Sequence, residues 1–120
     1  RPLKICKGNR IRLSASRNDL YRIGDGTPWI NVEGDPEKPT LSPEWPCNLE
    51  GCKEGMLTMR FVGKASGIES ILPVGTSVIF TAPEDGVISY RINDNSFFDN
   101  VWHKSGSVID HTSIEVSPAQ

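Results

Sequence analysis

The chain has 120 residues, 37% of them hydrophobic and 23% charged, with a formal net charge of −2, enough for one core but not two. That balance excludes disorder driven by charge and a strongly basic protein that holds nucleic acid by counterion release. No apolar run approaches the roughly 18 residues of a membrane-spanning helix. The chain begins at Arg1 with no apolar signal segment and so reads as a mature protein or an excised domain. Its 11 glycines and 9 prolines favour turns and short strands over long helices.

Taken along the chain, the periodicity is that of strands. Arg10-Ile11-Arg12-Leu13-Ser14-Ala15-Ser16 puts Ile11, Leu13 and Ala15 on one face and the polar residues on the other, a half-buried strand. From about Arg17 to Gly55 the pattern is lost. That stretch carries five prolines, from Pro28 to Pro46, together with Trp29 and Trp45, and reads as a long ordered loop region with a functional role. Leu57-Thr58-Met59-Arg60-Phe61 resumes the alternation, and Ser77 to Thr81 is a further strand. Ala82-Pro83-Glu84-Asp85-Gly86 turns the chain into Val87 to Ile92, where Ile88, Tyr90 and Ile92 share a face. A last strand lies between Ser107 and Val116, with Val108, Thr112, Ile114 and Val116 on one side. Five to eight short strands separated by turns predict an all-β, antiparallel sandwich, one domain over residues 1–120.

Three cysteines pose the redox question. Cys47 and Cys52 are close enough to close a small loop at Gly51; a disulfide and two free thiols are both open readings, and zinc is the weakest, because a structural site wants four N or S ligands. A bridge implies an oxidising compartment. Cys6, in the apolar-leaning run Leu3-Lys4-Ile5-Cys6, reads as a buried packing residue.

The densest polar cluster is Asn93-Asp94-Asn95-Ser96-Phe97-Phe98-Asp99-Asn100, with the carboxylates and amides that calcium takes. It is not an EF-hand, because the required glycine and the final glutamate are missing. A turn of Asx residues bonded to their own backbone is the plainer alternative. His103 and His111 have no nucleophile setting around them, and Gly24-Asp25-Gly26 is no phosphate loop, so no enzymatic reading emerges. Trp29, Trp45 and Trp102 offer apolar faces either to a sugar ring or to the ends of the sandwich.

In order along the chain, several of these residues resemble the calcium-dependent galactose-binding lectins of bacteria. The resemblance rests on Gly8, on Tyr21 and on Trp29 followed by the Gly34-Asp35-Pro36-Glu37-Lys38-Pro39 loop. It continues with Cys47 and Cys52 before Gly55-Met56-Leu57-Thr58-Met59-Arg60, with Ala82-Pro83, and with Asn93-Asp94, Asp99-Asn100 and Ser105-Gly106-Ser107. It implies a small jelly-roll-like β-sandwich with calcium at one end. The ion would be held by the main-chain carbonyls of Tyr21 and near Ser96 and by the side chains of Asp94, Asp99 and Asn100. Two adjacent sugar hydroxyls would complete its oxygen shell, contacted by Asp94, Asn95, Asp99 and Asn100.

Lys38 stands where the family has a histidine against the sugar, which shifts the expected ligand toward acidic saccharides, and Val101-Trp102-His103-Lys104 reads as an insertion before Ser105. A register that aligned His103-Lys104 with the family's second asparagine pair would remove the site. The resemblance also implies a Cys47–Cys52 disulfide, an extracellular or periplasmic setting, a carbohydrate partner, and either a homo-oligomer or a module of a larger protein. The alternative is a structural or protein-interaction sandwich that has lost the sugar site.

Overall fold

The computed structural model describes residues 2–18, 20–22, 28–94 and 112–118, together with the backbone of 102–103. Its elements are nine strands, β1 (Leu3–Ile5), β2 (Arg10–Ala15), β3 (Tyr21–Arg22), β4 (Leu57–Gly63), β5 (Glu69–Pro73), β6 (Ser77–Thr81), β7 (Gly86–Ile92), β8 (Trp102–His103) and β9 (Thr112–Ser117). All pairings are antiparallel. One sheet has the order β1-β7-β4-β5, a second β6-β2-β9, and β3 pairs with β8. The all-β antiparallel sandwich expected from the alternation is the architecture found.

The side-chain alternation explains the layering. Ile11 and Leu13 of β2 are fully buried, and Arg10 and Arg12, which alternate with them, face solvent. On β4, Leu57, Met59 and Phe61 turn inward, and the inward residues of β7 are Ile88, Tyr90 and Ile92, with Ile88 fully buried. The two sheets meet directly where Phe61 and Phe80 rings lie 5.1 Å apart, tilted by 47°, a favoured aromatic arrangement. Each fully buried aliphatic side chain contributes about 1.5–3 kcal/mol relative to exposure, so Ile11 and Leu13 of β2, helped by Val78, Phe80 and Ile114, anchor the second sheet.

Four strands had no strong sequence signal. β5 reads Glu69-Ser70-Ile71-Leu72-Pro73, too irregular for alternation, yet it pairs with β4 from Thr58↔Pro73 to Val62↔Glu69. It lies at a sheet edge, where Pro73 loses no ladder bond from its missing N–H. β1, β3 and β8 have two or three residues each, below the length at which a period is readable. Of the last strand, Thr112 to Val116 lies where expected, with Ile114 and Thr112 facing the inward side of β2; residues 107–111 are outside the described residues.

Cys6 departs from its expected burial: it is a free, exposed thiol. Ile5 is the last residue of β1 and points inward, and immediately after it the chain turns. The Asn9 amide N–H donates to the Cys6 carbonyl, and the Cys6 N–H donates to Asn9 Oδ1, which carries Cys6 out of the strand and off the core.

Candidate functional site

At the end of the sandwich where β7 finishes, the Arg17–Gly55 stretch folds back onto Asn93. The Asn93 side chain is fully buried. Its Oδ1 accepts from the Cys47 N–H at 3.0 Å, and its Nδ2 donates to Thr40 Oγ1 at 2.9 Å, to the Lys53 carbonyl at 2.9 Å and to the Cys47 carbonyl at 3.3 Å. Thr40, also buried, donates its own hydroxyl to the Cys47 carbonyl at 2.8 Å. A buried amide needs every one of these partners, because an unsatisfied polar group in a dry interior is costly. One strand-end residue thus gathers three separate parts of the loop region.

The backbone around Asn93 completes the junction. Its N–H donates to the Met56 carbonyl and its carbonyl accepts from the Gly55 N–H, both at 2.8 Å. Gly55 in turn receives the Tyr21 hydroxyl, which donates to its carbonyl at 2.5 Å. Tyr21 is buried, and that burial pushes its phenol well above its ordinary pKa. The Tyr21 main chain is bonded both ways to Ile30: its N–H donates at 2.9 Å and its carbonyl accepts at 2.7 Å.

The 34–39 loop docks on the same neighbourhood. The Glu54 N–H donates to the Lys38 carbonyl, and the Asp35 N–H donates to the Glu54 carbonyl, both at 2.9 Å. Gly34 makes this possible. Its φ of +77° is left-handed, and a Cβ there would stand 2.8 Å from the Glu54 carbonyl oxygen, so no side chain fits. Lys38 Nζ lies 3.7 Å from the Glu54 carboxylate, which partly answers its charge.

The Cys47–Cys52 disulfide is formed, with Cα atoms 5.8 Å apart and both residues buried. It closes the small loop whose first residue Asn93 holds. Such a bridge is compatible with an oxidising environment. No helix among the described residues is long and apolar enough to cross a membrane. Beside β3, the Arg22 guanidinium sits over the Trp29 ring, 5.1 Å from its centroid, and Trp29 keeps 38% of its surface exposed. Trp45 is half-buried.

Of the sequence-predicted site residues, the structure brings Tyr21, Lys38, Cys47, Cys52 and Asp94 to one end of the sandwich, with Asp94 leaving directly from the Asn93 junction. Asn95, Ser96, Asp99 and Asn100 lie outside the described residues, as do His111 and the side chains of Trp102 and His103. Asn93, the first of the carboxylates and amides of the polar cluster, has its oxygen occupied by the Cys47 N–H, so it ties the loops together and is not a free ligand. Thr40, Glu54 and Gly55 were not among the sequence-predicted site residues, though Gly55 entered as the first residue of the Gly55–Arg60 motif.

Asp94 carries a carboxylate and Tyr21 a main-chain carbonyl, which already accepts from the Ile30 N–H, and both are oxygen groups of the kind a hard cation takes. Calcium takes six to eight oxygens, and among the described residues no group of three or more His, Cys, Asp or Glu forms a metal cluster. Comparison of the chain with protein-family models, with curated proteins and with solved structures found no match.

Proposed function

We propose that the chain binds carbohydrate through calcium at this end of the sandwich, with Asp94, the Tyr21 carbonyl, Asp99, Asn100 and a carbonyl near Ser96 as ligands. The observation that carries the reading is the Gly55 junction. Gly55 accepts from Tyr21 through its carbonyl and donates to Asn93 through its N–H, so Tyr21 and the residue directly before Asp94, far apart in sequence, share one neighbour. Vicinal hydroxyls of a galactose-like or acidic saccharide would take the open coordination positions, with Asn95 and Lys38 at the rim. The disulfide supports an extracellular or periplasmic setting for such a protein.

Calorimetric titration of metal-stripped protein tests the proposal, followed by a glycan array read with and without calcium. Binding of calcium to the native state alone raises stability by about 2.7 kcal/mol at a hundredfold excess over Kd, and Asp94→Asn weakens that effect. A titration without heat at millimolar calcium, together with a blank array, overturns the proposal. That outcome leaves the second reading, a structural or interaction sandwich. Two observations favour this alternative: Asn93 is fully spent on the loops, and Lys38 is paired with Glu54.

A further inference from the structure

On the outer face of the second sheet, away from the Asn93 junction, the register builds a compact basic surface. β2 is the central strand, and its outward residues Arg10, Arg12 and Ser14 each stand between partners from both neighbours. Arg10 lies between Thr81 and Ser117, Arg12 between Ile79 and Glu115, and Ser14 between Ser77 and Ser113. Arg10, Arg12, Ile79, Glu115 and Ser117 line a shallow depression of about 200 Å³. Among the described residues, no carboxylate forms an ion pair with either guanidinium, although Glu115 stands beside Arg12 across the strands. This contrasts with Arg17 and Arg60, each of which is paired with a glutamate.

We infer that this face is a calcium-independent site for an anionic polysaccharide that carries sulfate or carboxylate groups on successive sugars. Side chains at i and i+2 on a strand project to the same side about 6.6 Å apart, so Arg10 and Arg12 present two guanidinium forks in one line. Each fork takes two oxygens of a sulfate or carboxylate in a charge-assisted pair. The hydroxyl-bearing rows on either side of the arginines supply donors and acceptors to sugar hydroxyls. Ile79, 54% exposed in the middle of the depression, offers an aliphatic floor to the C–H face of a ring. A nucleic acid fits less well, because the surface has two cations and no stacking aromatic, and affinity for a phosphate backbone grows with the number of cations. The site lies toward the opposite end of the molecule from Tyr21 and Asn93, since Arg10 follows Asn9, which exchanges backbone hydrogen bonds with Ala82 and Cys6.

The test is titration with size-fractionated dextran sulfate in the presence of a calcium chelator, so that its result is independent of the calcium reading. Binding is expected to dextran sulfate and not to neutral dextran, and to weaken at least tenfold between about 50 mM and about 200 mM salt. The double variant Arg10→Gln/Arg12→Gln loses at least tenfold in affinity with an unchanged circular dichroism spectrum. A Lys4→Gln/Lys64→Gln variant, equal in net charge but altered on the other sheet, stays within twofold of the parent, and Glu115→Gln tightens binding. The inference is overturned if the two double variants lose affinity equally, if no binding is seen at low salt, or if a single-stranded oligonucleotide of equal charge binds more tightly than dextran sulfate.

Discussion

The two ends of the sandwich are closed by different physics. At the β7 terminus, the buried amide of Asn93 holds Cys47, Thr40 and Lys53, residues drawn from 40 to 53 positions away in the chain. At the other end, closure is local and exposed. The Glu84 carboxylate accepts from the Ala65 N–H and from both the N–H and hydroxyl of Ser66, and the β4–β5 turn runs through Gly63 and Gly67. A buried polar hub stabilises a long irregular loop region only if every partner is present. An exposed carboxylate over a tight turn competes with water for each of its bonds. The first end is therefore specific and fragile, and the second is tolerant wherever backbone clearance permits.

The strongest way to break this contrast is Asn93→Ala. It leaves the buried Cys47 N–H without its acceptor and leaves the Lys53 carbonyl with the Met56 N–H as its remaining donor, and is expected to cost about 2–4 kcal/mol, read as a lowered urea midpoint with an unchanged m-value. A loss no larger than that of a surface substitution would show that the loops hold themselves. At the other end Gly86 is intolerant as a matter of space. A Cβ on Gly86 would strike the Val62 carbonyl and stand 2.7 Å from the Phe61 ring, so Gly86→Ala is expected to cost about 2–3 kcal/mol in the same denaturation experiment.

Tyr21→Phe sharpens the contrast through pH. It removes one buried hydrogen bond and leaves the Gly55 carbonyl without that donor, a loss of about 1–2 kcal/mol near neutrality. Because the folded phenol titrates above the ordinary value of 10.0, its contribution is complete below pH 10 and is lost as pH rises beyond it. Thermal melts of the parent should therefore fall in strong alkali, and this part of the decline should be missing in Tyr21→Phe.

The smallest effect belongs to Glu84→Gln. Hydrogen bonds from the Ser66 side chain and backbone, with a smaller one from the Ala65 backbone, hold the Glu84 carboxyl below its ordinary value of 4.5, against an opposing desolvation effect. Its contribution is present above that value and is lost as pH falls through the lowered one. The variant should therefore be slightly less stable than the parent near neutrality, and the small difference should close as pH falls in a pH series of melts.

What was legible in advance follows the range of the interactions. Alternation in Arg10–Ala15, Leu57–Phe61 and Val87–Ile92 reflects each residue's choice between core and water, a property of the side chain itself, and these strands appear with the expected faces. Tyr21 and Asp94 were named as site residues through a resemblance in motif order, and no local pattern could have shown that Gly55 lies between them. The Lys38–Glu54 pair and the role of Thr40 depend on a loop docking geometry that no period encodes. Cys6 was misjudged because a hydrophobic run predicts burial only while the strand continues, and here the strand stops at Ile5.

By itself, then, the sequence determined the layer architecture, since a period of two in hydrophobicity can be satisfied only by sheets that bury one face. It also set the polar character of the 93–100 segment and brought the two cysteines within reach of each other. Tertiary structure alone decided that Asn93 is a buried fastener and not a ligand, and that Arg10 and Arg12 stand among hydroxyls without an ion-pair partner. The reason is that hydrogen bonding and charge pairing depend on which groups the fold brings within about 3–4 Å, and those groups come from distant parts of the chain.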